Sequence, residues 1–191
     1  MKIVYIHGAS ATSSSFNYIR EHINHKDEIL IEYDSREGFA SNLKIMYEKL
    51  KGHKKLFFIA HSLGGIYSLN LAHRFPSIVL GAVTLSTPYG GVEAADYAKY
   101  FFPFNRLIRD VGPHSLPILN TCKLTPLHPW TQVVTTKGSS PWIHAPNDGV
   151  VTVSSQQHIK DMELIELEVN HYEVVMNSKV IEIIKERLIL N

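Results

Sequence analysis

The sequence predicts a three-layer α/β fold, a mostly parallel sheet of about six strands with helices on both faces. Two observations carry this. Short β-branched, apolar runs alternate with segments of helical length, the rhythm of strand–crossover–strand units. Several of those runs are apolar throughout, as in LFFIA and VTL, which suits strands buried on both faces. A third feature interrupts the rhythm: residues 88–129 hold six of the nine prolines.

Taken in order, the first strand is expected over Lys2–Ile6, ending in a His-Gly turn. Ser14–Ile23 reads as a helix, Glu28–Tyr33 as the second strand and Phe39–Leu50 as a second helix. Lys55–Ala60 is the third strand and Leu63–Phe75 the helix after it. Ile78–Ser86 is the fourth strand, Gln132–Thr136 the fifth and Glu163–Val169 the sixth. The last alternates polar and apolar residues, which puts it nearer a sheet edge. A final helix is expected over Tyr172–Leu190. The proline-rich stretch carries its own aromatic residues, including Tyr100, Phe101, Phe102 and Phe104. It reads as a small cap over the carboxyl ends of the strands, residues 88–128, or else as a crossover helix with frayed ends.

Composition narrows the function classes. A chain of 191 residues with 45% apolar content is expected to form one domain over 1–191. Nineteen basic against eighteen acidic residues leave a net charge of +1, which gives no electrostatic case for nucleic acid. No apolar run approaches a membrane span, and the short start MKIVYIHGAS lacks the apolar stretch of a secretion signal. The expected location is the cytoplasm, and a lone cysteine, Cys122, fits a reducing compartment. His22 and His25 lack a carboxylate or thiol companion in sequence, so no metal site and no cofactor are expected.

The stretch FFIAHSLGG, residues 57–65, raises a chemical question. A buried strand ends at a serine followed by small residues. When a strand turns sharply into a helix, a serine at the turn is held on a strained backbone with its hydroxyl exposed, and its neighbours must be small. Ser62 is thus the candidate nucleophile. The plainer reading is a helix N-cap.

Serine needs a base, and in α/β-hydrolases the order along the chain is serine, acid, histidine. Of Asp96, Asp110, Asp148 and Asp161, only Asp148 lies in a loop following a strand, within an Asn-Asp-Gly turn. It is the candidate acid. His158 and His171 follow it. His171 comes directly after the last strand and is the candidate base, whereas His158 reads as a surface position.

With these residues in place, the chain resembles a small serine lipase or esterase of the α/β-hydrolase superfamily. LSTPYGG (85–91) is similar to the Thr-Pro-His-x-Gly segment of triacylglycerol lipases and of GPI inositol-deacylase-like hydrolases, with Tyr89 in place of histidine. RDVGPHSLPILN (109–120) resembles their cap, NDGVVTVSS (147–155) their acid loop and NHYEVV (170–175) their terminal histidine. With the His-Gly strand at the start, the resemblance implies a sheet of about six strands lacking the first two of the full hydrolase sheet, as in minimal bacterial lipases.

The resemblance implies an oxyanion hole made by the Leu63 N–H and by the Ala9 N–H of the His-Gly loop, with Ser10 as alternate. It implies an ester substrate, small-molecule or lipid; the lack of a long apolar run leaves no integral membrane segment expected. Tyr89, Phe101, Phe102 and Leu116 are the candidate pocket residues, although such side chains equally suit the insertion's own core. Thioesterase, amidase or acyltransferase chemistry would use the same triad, and a hydrolase-fold binding protein is the alternative outside catalysis. Oligomeric state is left open.

Overall fold

The computed structural model describes residues 1–95, 104–140 and 143–190. Six strands form one sheet in the order β2-β1-β3-β4-β5-β6, and every pairing is parallel. They are β1 (Lys2–Ile6), β2 (Glu28–Ile31), β3 (Leu56–His61), β4 (Val79–Leu85), β5 (Trp130–Thr135) and β6 (Glu163–Leu167). The alternating sixth strand lies at an edge, as its pattern implies.

Because successive side chains point to opposite faces, a central strand feeds two cores. In β3, Leu56, Phe58 and Ala60 join one buried cluster, while Phe57 and Ile59 join the other. In β1, Val4 and Ile6 face one way and Ile3 and Tyr5 the other. Each such side chain contributes about 1.5–3 kcal/mol by leaving water, so apolar residues at every position are what a doubly covered strand requires.

The first cluster is covered by α2 (Phe39–Leu50) and α3 (Leu63–Arg74). Phe39, Leu43, Met46 and Leu50 of α2 recur at helical spacing and are buried. The second cluster is covered by α1 (Asn17–Ile23) and α7 (Ser178–Ile189), the latter through Val180, Ile181, Ile183 and Ile184.

Helix boundaries differ from expectation at two places. The first helical segment opens as a 3-10 turn over Ser13–Phe16 before α1. The last is broken into a 3-10 turn, Glu173–Met176, and α7, because Asn177 takes an extended conformation and its side chain caps the Lys179 N–H.

In the proline-rich insertion, α4 (Arg106–Val111) and α5 (Leu116–Thr121) are short helices capped by Asn105 and Ser115. They pack on α2 and α3. Asp110 accepts the Phe39 N–H at 2.7 Å, supplying the cap that Gly38 cannot, and Asn70 donates to Thr121 at 2.8 Å. A four-residue helix, α6 (Val153–Gln156), follows the Asn-Asp-Gly turn. No helix among the described residues is long and apolar enough to cross a membrane.

Candidate active site

Parallel pairing puts the carboxyl ends of all six strands on one side of the sheet, and three loops meet there. Ser62 follows β3 at φ 52° and ψ −125°, outside the regions that residues with a Cβ favour. It is held there because its N–H extends the ladder to the Leu85 carbonyl at 2.8 Å while α3 begins at the next residue. The two glycines after Leu63 are required by close approach. A Cβ on Gly64 would fall 2.0 Å from the Ile6 carbonyl oxygen, and one on Gly65 would fall 2.0 Å from Thr87 Oγ1. The start of α3 thus rests directly on the end of β1 and on the turn after β4.

His171, in the turn after β6, brings its Nε2 to 3.0 Å from Ser62 Oγ. Its Nδ1 lies 2.8 Å from Asp148 Oδ2. A carboxylate only accepts, so Nδ1–H is the donor; Nε2 is then free to accept the Ser62 hydroxyl proton. Both His171 and Asp148 are buried, whereas Ser62 is partly exposed.

Asp148 is fully partnered. Thr135 Oγ1 donates to Oδ2 at 2.6 Å and Gln156 Nε2 at 3.2 Å, while the Val150 and Val151 amides donate to Oδ1 at 3.0 and 2.8 Å. Burial alone would raise the carboxyl's pKa. The bond and charge of His171, the Thr135 hydroxyl and the Val151 amide together outweigh it and hold the pKa below the usual carboxylate value. Behind this shell, Ser86 Oγ lies 2.8 Å from Thr135 Oγ1, and Gln156 Oε1 accepts the Thr135 amide at 2.8 Å. Gly138 allows the chain after β5 to lie against Asp148, since a Cβ there would sit 1.9 Å from the Asp148 carbonyl carbon.

On the other side of Ser62 runs the His-Gly loop after β1. A Cβ on Gly8 would lie 3.1 Å from both Ser62 Cβ and His61 Nδ1, so this backbone passes beside the serine. Among the described residues neither the Ala9 nor the Leu63 amide has a hydrogen-bond partner. The Ser10 amide, the alternate donor, is already given to Ser35 Oγ at 3.2 Å. His7 is stacked on Tyr33 and buried, with Nδ1 2.8 Å from the Gly8 carbonyl.

The other candidates lie elsewhere. Asp110 is engaged with α2, Asp161 is exposed ahead of β6 at the far end of the sheet, and His158 is exposed. Asp96, Phe101 and Phe102 fall outside the described residues. Tyr89, expected to line the pocket, points into the core. It is fully buried, donates to Thr84 Oγ1 at 3.1 Å and accepts the Trp130 indole N–H at 2.9 Å, which ties it to the sheet. Leu116 begins α5, is 75% exposed and lines a cleft of about 530 Å³ with Phe39, Leu43, Asn70 and Arg74; Ser62 and His171 do not border it. Among the described residues no cluster of His, Cys, Asp or Glu is arranged to hold a metal ion.

Sequence reasoning did not find Thr135, Gln156 or Ser86. A pair of threonines following two valines at the end of β5, VVTT, was a usable signal for Thr135. Gln156 and Ser86 carried none.

A sequence profile of the alpha/beta hydrolase fold matches residues 7–110. No curated protein sequence matches the chain. Among solved structures, mature lipase BlEst2 of Bacillus licheniformis superposes with a TM-score of 0.68 at 16% identity, over 98% of this chain and 91% of that one. The metagenomic carboxyl esterase MGS0156 gives 0.75 at 16% identity, over 91% and 65%. A monoacylglycerol lipase of Paleococcus ferrophilus gives 0.65 at 15%, over 99% and 92%. At such identities the likeness is one of fold.

Proposed function

The chain belongs to the alpha/beta hydrolase fold family, and on that premise we propose that it is a serine hydrolase cleaving carboxylic esters through an acyl-enzyme. Ser62 is the nucleophile, His171 the base and Asp148 the acid. The observation that carries this reading is the unbroken relay Ser62 Oγ–His171 Nε2 at 3.0 Å and His171 Nδ1–Asp148 Oδ2 at 2.8 Å. The lipases and esterases among the structural neighbours support an ester as the substrate.

The chemistry follows from the proton positions. As Ser62 Oγ bonds to the carbonyl carbon, its proton moves to His171 Nε2 and the carbonyl π pair moves to oxygen. That oxyanion is met by the free Ala9 and Leu63 amides, one such donor being worth about 2.7–4 kcal/mol in the transition state. Collapse breaks the bond to the alkoxy oxygen, which leaves with the proton from His171. Water then repeats the attack on the acyl-enzyme and frees the acid. Asp148 remains ionised throughout, keeping the Nδ1–H tautomer and stabilising the imidazolium.

A fluorophosphonate probe should label the protein at Ser62, and Ser62→Ala should abolish labelling and lower kcat for p-nitrophenyl acetate by up to about 10⁶-fold. Labelling that survives in Ser62→Ala overturns the assignment. A series of p-nitrophenyl esters from acetate to palmitate then distinguishes small soluble from lipid esters by where turnover is greatest.

A further inference from the structure

The residue before the nucleophile, His61, is unused by the chemistry above, yet it is buried inside the site. It is the last residue of β3 and is 6% exposed. By the alternation of the strand its side chain lies on the same face as Phe57 and Ile59, the face from which the turn after β6 arrives. Its Nε2 is 2.8 Å from the His171 carbonyl oxygen. A carbonyl only accepts, so Nε2 must carry the proton. Burial, with the neighbouring His171 ring adding to it, pushes the imidazole's pKa down to about 3, which leaves a neutral Nε2–H ring at any working pH. The ring centroids of His61 and His171 are 4.9 Å apart.

The His171 main chain is thereby held at both ends. Its N–H donates to the Asp148 carbonyl at 3.0 Å and its carbonyl accepts from His61. The first bond ties it to the acid loop, the second to the strand that carries Ser62. This second bond is the direct polar link between the main chain of the base and the nucleophile's own strand, and it spans two strands that are not neighbours in the sheet. With its backbone pinned, the imidazole has only its side-chain torsions left, and the Asp148 bond fixes those. The opposite edge of the His61 ring abuts Gly8, so the same side chain also braces the loop bearing the Ala9 amide.

We propose that His61 is a positioning residue, a permanent donor that sets the distance between His171 and Ser62 by holding the His171 carbonyl. This rests on the serine-hydrolase reading above. It acts through His171 and touches no reacting atom. A displacement of 1 Å at a reacting group costs on the order of 10²-fold in rate, so loss of the bond is a kinetic defect before it is a folding defect.

Two variants and one spectrum test it. His61→Met has similar reach and no donor; His61→Gln offers an amide N–H near the place of Nε2. Rates are measured on p-nitrophenyl acetate per site titrated with fluorophosphonate, so that misfolded protein does not count. His61→Met is expected to lose about 10- to 100-fold in kcat with KM little changed, and His61→Gln to recover most of the loss. Wild-type turnover in His61→Met, or equal loss in both variants, overturns the proposal. In ¹⁵N-labelled wild-type protein the His61 ring should show the neutral Nε2–H tautomer unchanged from pH 5 to 8. An Nδ1–H tautomer, or titration within that range, overturns it whether or not His61→Met folds. Wild-type protein that neither labels nor turns over defeats the hydrolase reading, and this one with it; a labelled, active wild type with an indifferent His61→Met defeats this one alone.

Discussion

Ser62 and His61 are adjacent in the chain and subject to opposite demands. Ser62 is held at positive φ, at a cost of order 1–3 kcal/mol, with its hydroxyl turned out of the sheet. His61 points inward and is neutral. Its folded pKa of about 3 lies below the ordinary 6.5, so between these values the unfolded chain binds the proton that the native state refuses. The contribution is complete above pH 6.5 and is lost as pH falls, at up to about 1.4 kcal/mol per unit. Urea unfolding at pH 7 and pH 5 should reveal this loss, and His61→Gln should shrink the difference. Asp148 acts in the same direction, lower down. Its depressed pKa gives stability present above the unfolded value near 4 and lost only below it. Its kinetic role is separable from this: in an amide the Val150 and Val151 N–H groups keep Oδ1 as acceptor and the Thr135 hydroxyl can turn to accept, so only the Gln156 bond to Oδ2 is lost. Asp148→Asn should lower kcat by about 10⁴-fold through the wrong imidazole tautomer, with the circular dichroism spectrum unchanged. Turnover near the wild-type rate would remove Asp148 from the role of acid.

At the scale of elements, the site depends on how closely α3 sits on the sheet. Its first turn lies against the end of β1, and Gly64 is what allows it; the proposed oxyanion hole, with its Leu63 and Ala9 amides, depends on that approach. An alanine methyl there would overlap the Ile6 carbonyl, which is locked in the β1 ladder and has nowhere to move. Gly64→Ala should therefore cost about 3 kcal/mol or more, beyond the usual 1–3 kcal/mol of overpacking, read as a fall in the urea midpoint. A neutral result would mean that α3 can slide on the sheet, and the proposed pairing of the two amides would lose its support. The turn after β6 is controlled differently. Asn177 stops the 3-10 turn and starts α7 afresh, so the segment bearing His171 is short and bonded at both ends rather than the first turn of a long helix.

For the whole molecule, the sheet divides two cores that share every central strand. Ile118 of the insertion belongs to the same buried cluster as Val4 and Phe58, so at least this part of residues 88–128 is continuous with the main core. One cooperative unfolding transition is expected in consequence. Trp130 is buried in β5 beside the insertion's Tyr89 and reports locally. In a Trp142→Phe background its fluorescence and the far-ultraviolet circular dichroism should share one urea midpoint. Separate midpoints would mean that the insertion melts as a unit of its own.

Layer order, strand positions and the edge placement of β6 were legible in the sequence because burial on two faces, or on one, writes itself into hydrophobic pattern. Ser62, Asp148 and His171 were legible as candidates because each lies in the segment that follows a strand, and the chain order of such groups is informative. Their distances were not, since they depend on loops after β3, β5 and β6 whose ends meet only when the sheet is assembled. Tyr89 shows the limit from the other side: an aromatic residue in a pocket-like context looks the same in sequence whether its hydroxyl meets substrate or, as here, Thr84 and Trp130. The donors around Asp148 and the bond from His61 to His171 were decided by tertiary structure alone. A hydrogen bond between residues far apart in the chain leaves no periodic trace; it exists only where packing carries donor and acceptor to within about 3 Å.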